Sequence, residues 1–324
     1  MGSSTTREWE TSPSLSSLVS IGSHRLYATI SGPPRTPLNP SLVIFFPGSS
    51  ASYTSFLPVS TLVHTSRILL YDRSGLGLSD PLPNTTSISG AQAAQELDAL
   101  LKVLYLPGPY VLVAHSYGGC VAREFLRLYT QNIVGMVLSE TGTETKCTDH
   151  EEQYRRQILG HWPLSVIRGE AIFGGSKTGQ ERSDGASGNP TVTEEGPMTK
   201  QIDNGDKNNN SHEKARRAML ASMKAMDETL KREQLQLSTR SRFLNVPGCG
   251  HNVNQVRPDL VAAEVCWVVA CANKLLAGET VEEGCTVRKE GKVQPDGDFR
   301  GLGRGPASVA IVAWLRRVLR LDST

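Results

Sequence analysis

Two stretches near the start alternate apolar and polar positions, residues 14–21 (SLSSLVSI) and 24–31 (HRLYATIS). They predict a strand hairpin turned around Gly22 and Ser23. After a proline-rich link (GPPRTPLNP), short and nearly continuous apolar runs occupy 42–46, 67–71, 110–113, 134–138 and 164–167. Runs of this length without alternation are what strands buried on both faces require. Between them, Leu97, Leu100, Leu101 and Leu104 recur at helical spacing, as do Val121, Phe125 and Leu128. Strands alternating with helices predict an α/β fold, a mostly parallel sheet with helices on both faces. A last strand is expected at 242–246 and a last helix at 258–276, with proline at its first position.

Two regions break the pattern. Residues 174–212 are rich in Gly, Ser, Asn, Asp and Lys and nearly free of large apolar side chains, which predicts a disordered, low-complexity insertion. A helix resumes after it, with Met219, Met223, Met226 and Leu230 on one face. Ordinary core packing is the expected role of that stripe, and a flexible pocket wall is the competing one. Beyond Leu276 an irregular tail, 277–324, regains an apolar pattern only at 308–321 (SVAIVAWLRRVLRL), a run too short to span a bilayer. Residues 1–15 read as a disordered N-terminus.

Composition narrows the classes. Of 324 residues, 38% are hydrophobic and 20% charged, enough for one sizeable buried core. The net charge of +2, from 34 basic and 32 acidic side chains, gives no electrostatic reason to expect nucleic acid or an anionic membrane as partner. Six cysteines include no CxxC pair, and the opening residues are polar, with Arg7 and two glutamates before any apolar run. Reduced thiols and a cytoplasmic location are therefore expected.

The chemistry concentrates in Tyr110–Val–Leu–Val–Ala114–His115–Ser116–Tyr117–Gly118–Gly119. A buried strand runs into a sharp turn and a helix leaves at once. This is the layout of a nucleophile elbow, which places a serine at a strained strand-to-helix corner. The residues two before and two after that serine must be small because the backbones nearly touch; Ala114 and Gly118 meet the requirement. A serine hydroxyl needs a base. His251, between Gly250 and Asn252 and between the last strand and last helix, is the candidate. His115 adjoins Ser116 and is expected to point elsewhere. Competing motifs fail: Gly75 and Gly77 lack the third glycine of a dinucleotide loop, because residue 80 is Asp. Residues 175–178 lack the adjacent Gly-Lys of a phosphate loop. Cys249 and His251 have no ligand-spaced companions. No cofactor and no metal are indicated.

In this order, the hairpin, Phe46–Pro47–Gly48–Ser49–Ser50, the stretch Asp72–Arg73–Ser74–Gly75–Leu76–Gly77–Leu78–Ser79–Asp80, the elbow and Gly250–His251–Asn252 resemble the α/β-hydrolase superfamily. The resemblance covers roughly 16–173 and 214–276 and marks 16–276 as the hydrolase domain. It implies an oxyanion hole formed by the N–H groups of Ser49 and Tyr117. The family's His-Gly pair in the first loop is here Pro47–Gly48. Family members often carry the acid a few residues past the strand ending at Ile167, where this chain has Glu170 but no aspartate. A second family arrangement puts it after the strand that follows the elbow helix, where Glu140 stands. Glu140 is the favoured acid and Glu170 the alternative.

The expected protein is thus a serine hydrolase or acyltransferase with little structured lid, acting on a small-molecule ester, thioester or lactone. A looser similarity to lid-poor fungal hydrolases of specialised metabolism implies a polyketide-like substrate. The sequence leaves two rivals open: carbon–carbon hydrolase or lyase chemistry on the same scaffold, and a non-catalytic binding protein.

Overall fold

The computed structural model describes residues 8–82, 88–142, 150–170 and 206–281. Among them, the strands are β1 (Ser14–Ser20), β2 (Arg25–Ser31), β3 (Leu42–Phe46), β4 (Arg67–Tyr71), β5 (Tyr110–His115), β6 (Ile133–Ser139), β7 (Leu164–Gly169) and β8 (Ser241–Val246). The α-helices are α1 (Glu8–Thr11), α2 (Leu57–Ser60), α3 (Gly90–Val103), α4 (Gly118–Leu128), α5 (His150–Arg155), α6 (Asp206–Glu233), α7 (Val253–Val256) and α8 (Pro258–Leu276). The strands form one eight-stranded sheet in the order β1-β2-β4-β3-β5-β6-β7-β8. The β1–β2 and β2–β4 pairs are antiparallel, and every other pair is parallel.

The fully apolar runs feed two cores at once. Along β3, Leu42, Ile44 and Phe46 enter the layer covered by α3 and α4, while Val43 and Phe45 enter the layer shared with α8. Along β5, Tyr110, Leu112 and Ala114 divide from Val111 and Val113 in the same way. The two-residue side-chain period of a strand produces this division. Helix α8 lies so close to β6 that a Cβ on Gly135 would sit 2.4 Å from Val268 Cγ1. Ser89 caps α3 reciprocally with Gln92.

Four sequence expectations are corrected. Residues 8–15, assigned to a disordered N-terminus, are ordered: Trp9 is buried in the core, and the buried Arg67 guanidinium donates to the carbonyls of Trp9 and Ser12. A single tryptophan among polar residues leaves no periodic signal, and its contact with Arg67 lies 58 residues away. The insertion boundary at 212 also moves, because α6 already begins at Asp206. The methionine stripe is not core. Met219 and Met226 are 65% and 66% exposed and Met223 37%, because α6 is held to the sheet through polar groups on its neighbouring face. Finally, Cys120 is disulfide-bonded, while Cys249 and Cys266 are free thiols. Pairing follows spatial proximity, which cysteine spacing along the chain does not reveal. Residues 174–205 of the low-complexity insertion and the apolar run 308–321 lie outside the described residues.

Candidate active site

The sheet's parallel strands deliver the candidate residues to one end. At the close of β5 the chain turns through Ser116 with φ of +52°, a left-handed conformation that non-glycine residues seldom adopt. Helix α4 leaves from Tyr117. The small-residue rule has a direct cause here: a Cβ on Gly118 would come within 2.0 Å of the Phe46 carbonyl oxygen and 2.7 Å of that of Pro47. At Gly119 it would meet the Thr141 side chain at 2.6 Å. The elbow is thus wedged between the ends of β3 and β6.

Glu140 repeats this geometry one strand over, with φ of +54° just past β6. The turn sends its buried carboxylate across the sheet end. Its Oε1 accepts from the Gly169 N–H at 2.6 Å, and its Oε2 accepts from His251 Nδ1 at 3.2 Å. The Lys231 ammonium lies 3.5 Å from the same Oε2. Among the described residues Glu170 makes no hydrogen bond or ion pair with His251; its N–H donates to Val246 at 3.1 Å. The carboxylate that faces the imidazole is therefore that of Glu140.

His251 is half exposed and is steered from behind by the residue preceding the serine. His115 Nε2 donates to the His251 carbonyl at 2.8 Å, and the two rings pack with centroids 4.8 Å apart. Burial makes the His115 imidazole harder to protonate than usual, partly offset by that hydrogen bond. The chain neighbour of Ser116 thus holds the loop of His251, a role that adjacency in sequence concealed. No hydrogen bond joins the Ser116 hydroxyl to the His251 ring among the described residues.

The loop after β3 completes the setting. A Cβ on Gly48 would lie 3.5 Å from Ser116 Cβ. The buried Arg73 guanidinium donates to the carbonyls of Pro47 and Gly48 at 2.5 Å each and of Ser49 at 3.0 Å. With the carbonyls turned to Arg73, the N–H groups face the other way. Among the described residues, neither the Ser49 nor the Tyr117 N–H donates a hydrogen bond to another protein group. Asp72 fixes the neighbouring turn, accepting from the N–H groups of Tyr53 at 2.7 Å and Leu78 at 2.9 Å. The Asp-Arg-Ser-Gly stretch is therefore scaffolding for the loop after β3.

Comparison with known proteins identifies the family. The sequence profile of the alpha/beta hydrolase family matches residues 43–264. The chain belongs to the α/β-hydrolase family. An "AB hydrolase superfamily protein" of Gibberella zeae is 27% identical, with 81% of this chain and 98% of that protein covered. A "Probable transporter efuK" of Hormonema carpetanum is also 27% identical over 81% of this chain, which spans only 44% of that protein. Among solved structures, a putative lipase from Acinetobacter baumannii superposes with a TM-score of 0.53 at 12% identity, covering 83% of this chain and 95% of that one. A thermophilic esterase from Thermogutta terrifontis superposes with a TM-score of 0.50 at 14% identity, covering 80% and 99%. These likenesses concern the α/β-hydrolase fold.

Two features of this α/β-hydrolase escaped sequence reasoning. Lys231 reads as a solvated lysine in the LKRE end of a polar helix, yet it is 2% exposed. Arg168, at the end of β7, reaches Asp227 at 2.8 Å and the Lys224 carbonyl at 3.1 Å, docking α6 on the sheet. Only a signal for buried charge on α6 could have found them, and the masking acidic and basic residues around each gave none. Among the described residues there is no cluster suited to a metal ion and no helix long and apolar enough to cross a membrane.

Proposed function

We propose that the chain is a serine-dependent hydrolase or acyltransferase for a small-molecule ester, thioester or lactone. The observation that carries this reading is the Glu140–His251 pair at 3.2 Å, set beside a serine held in left-handed backbone at a strand-to-helix corner. In the proposed reaction Ser116 Oγ attacks the acyl carbonyl while His251 Nε2 takes its proton. Glu140, accepting from Nδ1–H, keeps the proton off Nε2 and stabilises the imidazolium as it forms. The carbonyl oxygen becomes an oxyanion and receives the free N–H groups of Ser49 and Tyr117. The imidazolium then returns the proton to the departing alkoxide or thiolate. Water, or a hydroxyl of the substrate, attacks the acyl enzyme with His251 again as base, restoring Ser116.

The test is labelling of the full chain with a fluorophosphonate, followed by a panel of chromogenic esters of graded acyl length and polyketide-like lactones. Ser116→Ala should lose the label and reduce ester turnover on the order of 10³-fold or more while remaining folded. Labelling elsewhere, or near-parental turnover in that variant, would reject the proposal.

A further inference from the structure

We infer that Lys231 is a positioning residue that sets the proton affinity of the catalytic base through Glu140, an inference that rests on the reading of His251 as that base. Helix α6 brings the Lys231 ammonium, 2% exposed, to 3.5 Å from Glu140 Oε2. That oxygen is also the one that accepts from His251 Nδ1 at 3.2 Å. A buried ammonium is tolerated only with partners. Here they are Glu140 and Asp227, which lies one turn earlier on α6 and is itself paired to Arg168 at 2.8 Å. Charge alternates along this line: Arg168 positive, Asp227 negative, Lys231 positive, Glu140 negative, and then the imidazole.

The consequence follows from sharing one carboxylate oxygen. Glu140 favours an imidazolium at His251; Lys231 occupies part of the same negative charge and is itself a nearby positive one. Lys231 therefore weakens the grip of Glu140 on the imidazolium and keeps the base free of its proton at lower pH. Asp227 acts in the opposite sense by holding part of the Lys231 charge. Other charged or titratable groups face this line. Glu228 lies 3.4 Å from Arg168 on the far side. His115 is packed on the His251 ring, and burial disfavours its charged form. Cys249 is a free thiol kept neutral by burial, with Glu140 adding to that effect. None of them is a cation that duplicates Lys231 at Glu140.

Two substitutions therefore have opposite signs. Lys231→Met removes the positive charge and should move the acidic limb of the rate–pH profile upward by about one pH unit. Asp227→Asn leaves Lys231 acting on Glu140 more fully and should move the limb downward by a fraction of a unit. Lys231→Arg should restore the parental profile. Each is read as the pH dependence of fluorophosphonate labelling at Ser116 and, independently of any activity, as the NMR midpoint of the His251 ring signals in full-length protein. A purely structural role would lower rates without moving either midpoint. Unmoved midpoints, or shifts of the same sign in both variants, would overturn the inference. Should Lys231→Met fail to fold, the downward shift in Asp227→Asn decides, and its absence refutes. Opposite NMR shifts without Ser116 labelling would support the coupling while rejecting the hydrolase reading.

Discussion

Replacing Glu140 with glutamine changes one atom's chemistry in a group with three polar neighbours, and the geometry allows its cost to be worked out. The carboxylate accepts from Gly169 N–H at 2.6 Å and from His251 Nδ1 at 3.2 Å, one oxygen each. An amide has only one acceptor oxygen. If that oxygen stays with the buried Gly169 N–H, the NH₂ group is turned toward His251 and toward the Lys231 ammonium. A donor then faces the ring nitrogen, the ring shifts its proton to Nε2, and it can no longer take the serine proton. Loss of the right tautomer together with loss of imidazolium stabilisation should lower kcat/KM by 10³- to 10⁴-fold, about 4–5.5 kcal/mol. If instead the amide oxygen serves His251, the Gly169 N–H is orphaned, at a cost of about 1–3 kcal/mol of stability. Steady-state ester hydrolysis and thermal melting on the same preparation separate these cases. A loss below tenfold with an unchanged melting temperature would refute the assignment of Glu140, and Glu170→Gln should be mild in the same assays.

Three further outcomes are expected. Gly118→Ala drives a Cβ toward two backbone carbonyls, so it should destabilise by about 3 kcal/mol or more or prevent folding; Gly75→Ala, with open space but φ of +74°, should cost only about 1 kcal/mol in chemical denaturation. Arg73→Met frees the three carbonyls it holds and should reduce kcat on the order of 10²-fold with KM little changed, as judged by saturation kinetics. Because folding makes His115 harder to protonate, the unfolded chain binds its proton first as pH falls. Stability from this group is therefore complete above about pH 6.5 and is lost below it, and melting curves of His115→Gln should show a flatter pH dependence there.

The sheet was legible because its central strands face apolar layers on both sides, which leaves unbroken runs such as LVIFF and YVLVA in the sequence. The elbow was legible for a steric reason: contact of Gly118 with the Phe46 carbonyl excludes any side chain, and the glycine records it. Glu140 was nameable as a candidate only through its place after β6; the left-handed backbone that aims it is not encoded by residue type. Contacts between distant parts of the chain left no trace. Trp9 under Arg67, His115 behind His251 and Lys231 against Glu140 each join residues separated by tens of positions. Pattern reasoning misjudged the methionines for a related reason. Helical spacing specifies a face, but Arg168 and the polar face of α6 decided which face meets the sheet.

The position of Glu140 immediately after β6 has a bearing on how this gene can vary. Its carboxylate takes from β7 only a main-chain N–H, that of Gly169, a position that the chain before His251 keeps to glycine, since a Cβ there would lie 2.4 Å from the Gly250 carbonyl oxygen. The connection from β7 to α6 therefore carries no side chain of the Glu140–His251 pair. That connection includes thirty-five residues dominated by small and polar types, 171–205. In the proposed reaction, lengthening this connection leaves the acid, Glu140, where it stands, whereas an acid placed beyond β7 would be shifted by each added residue.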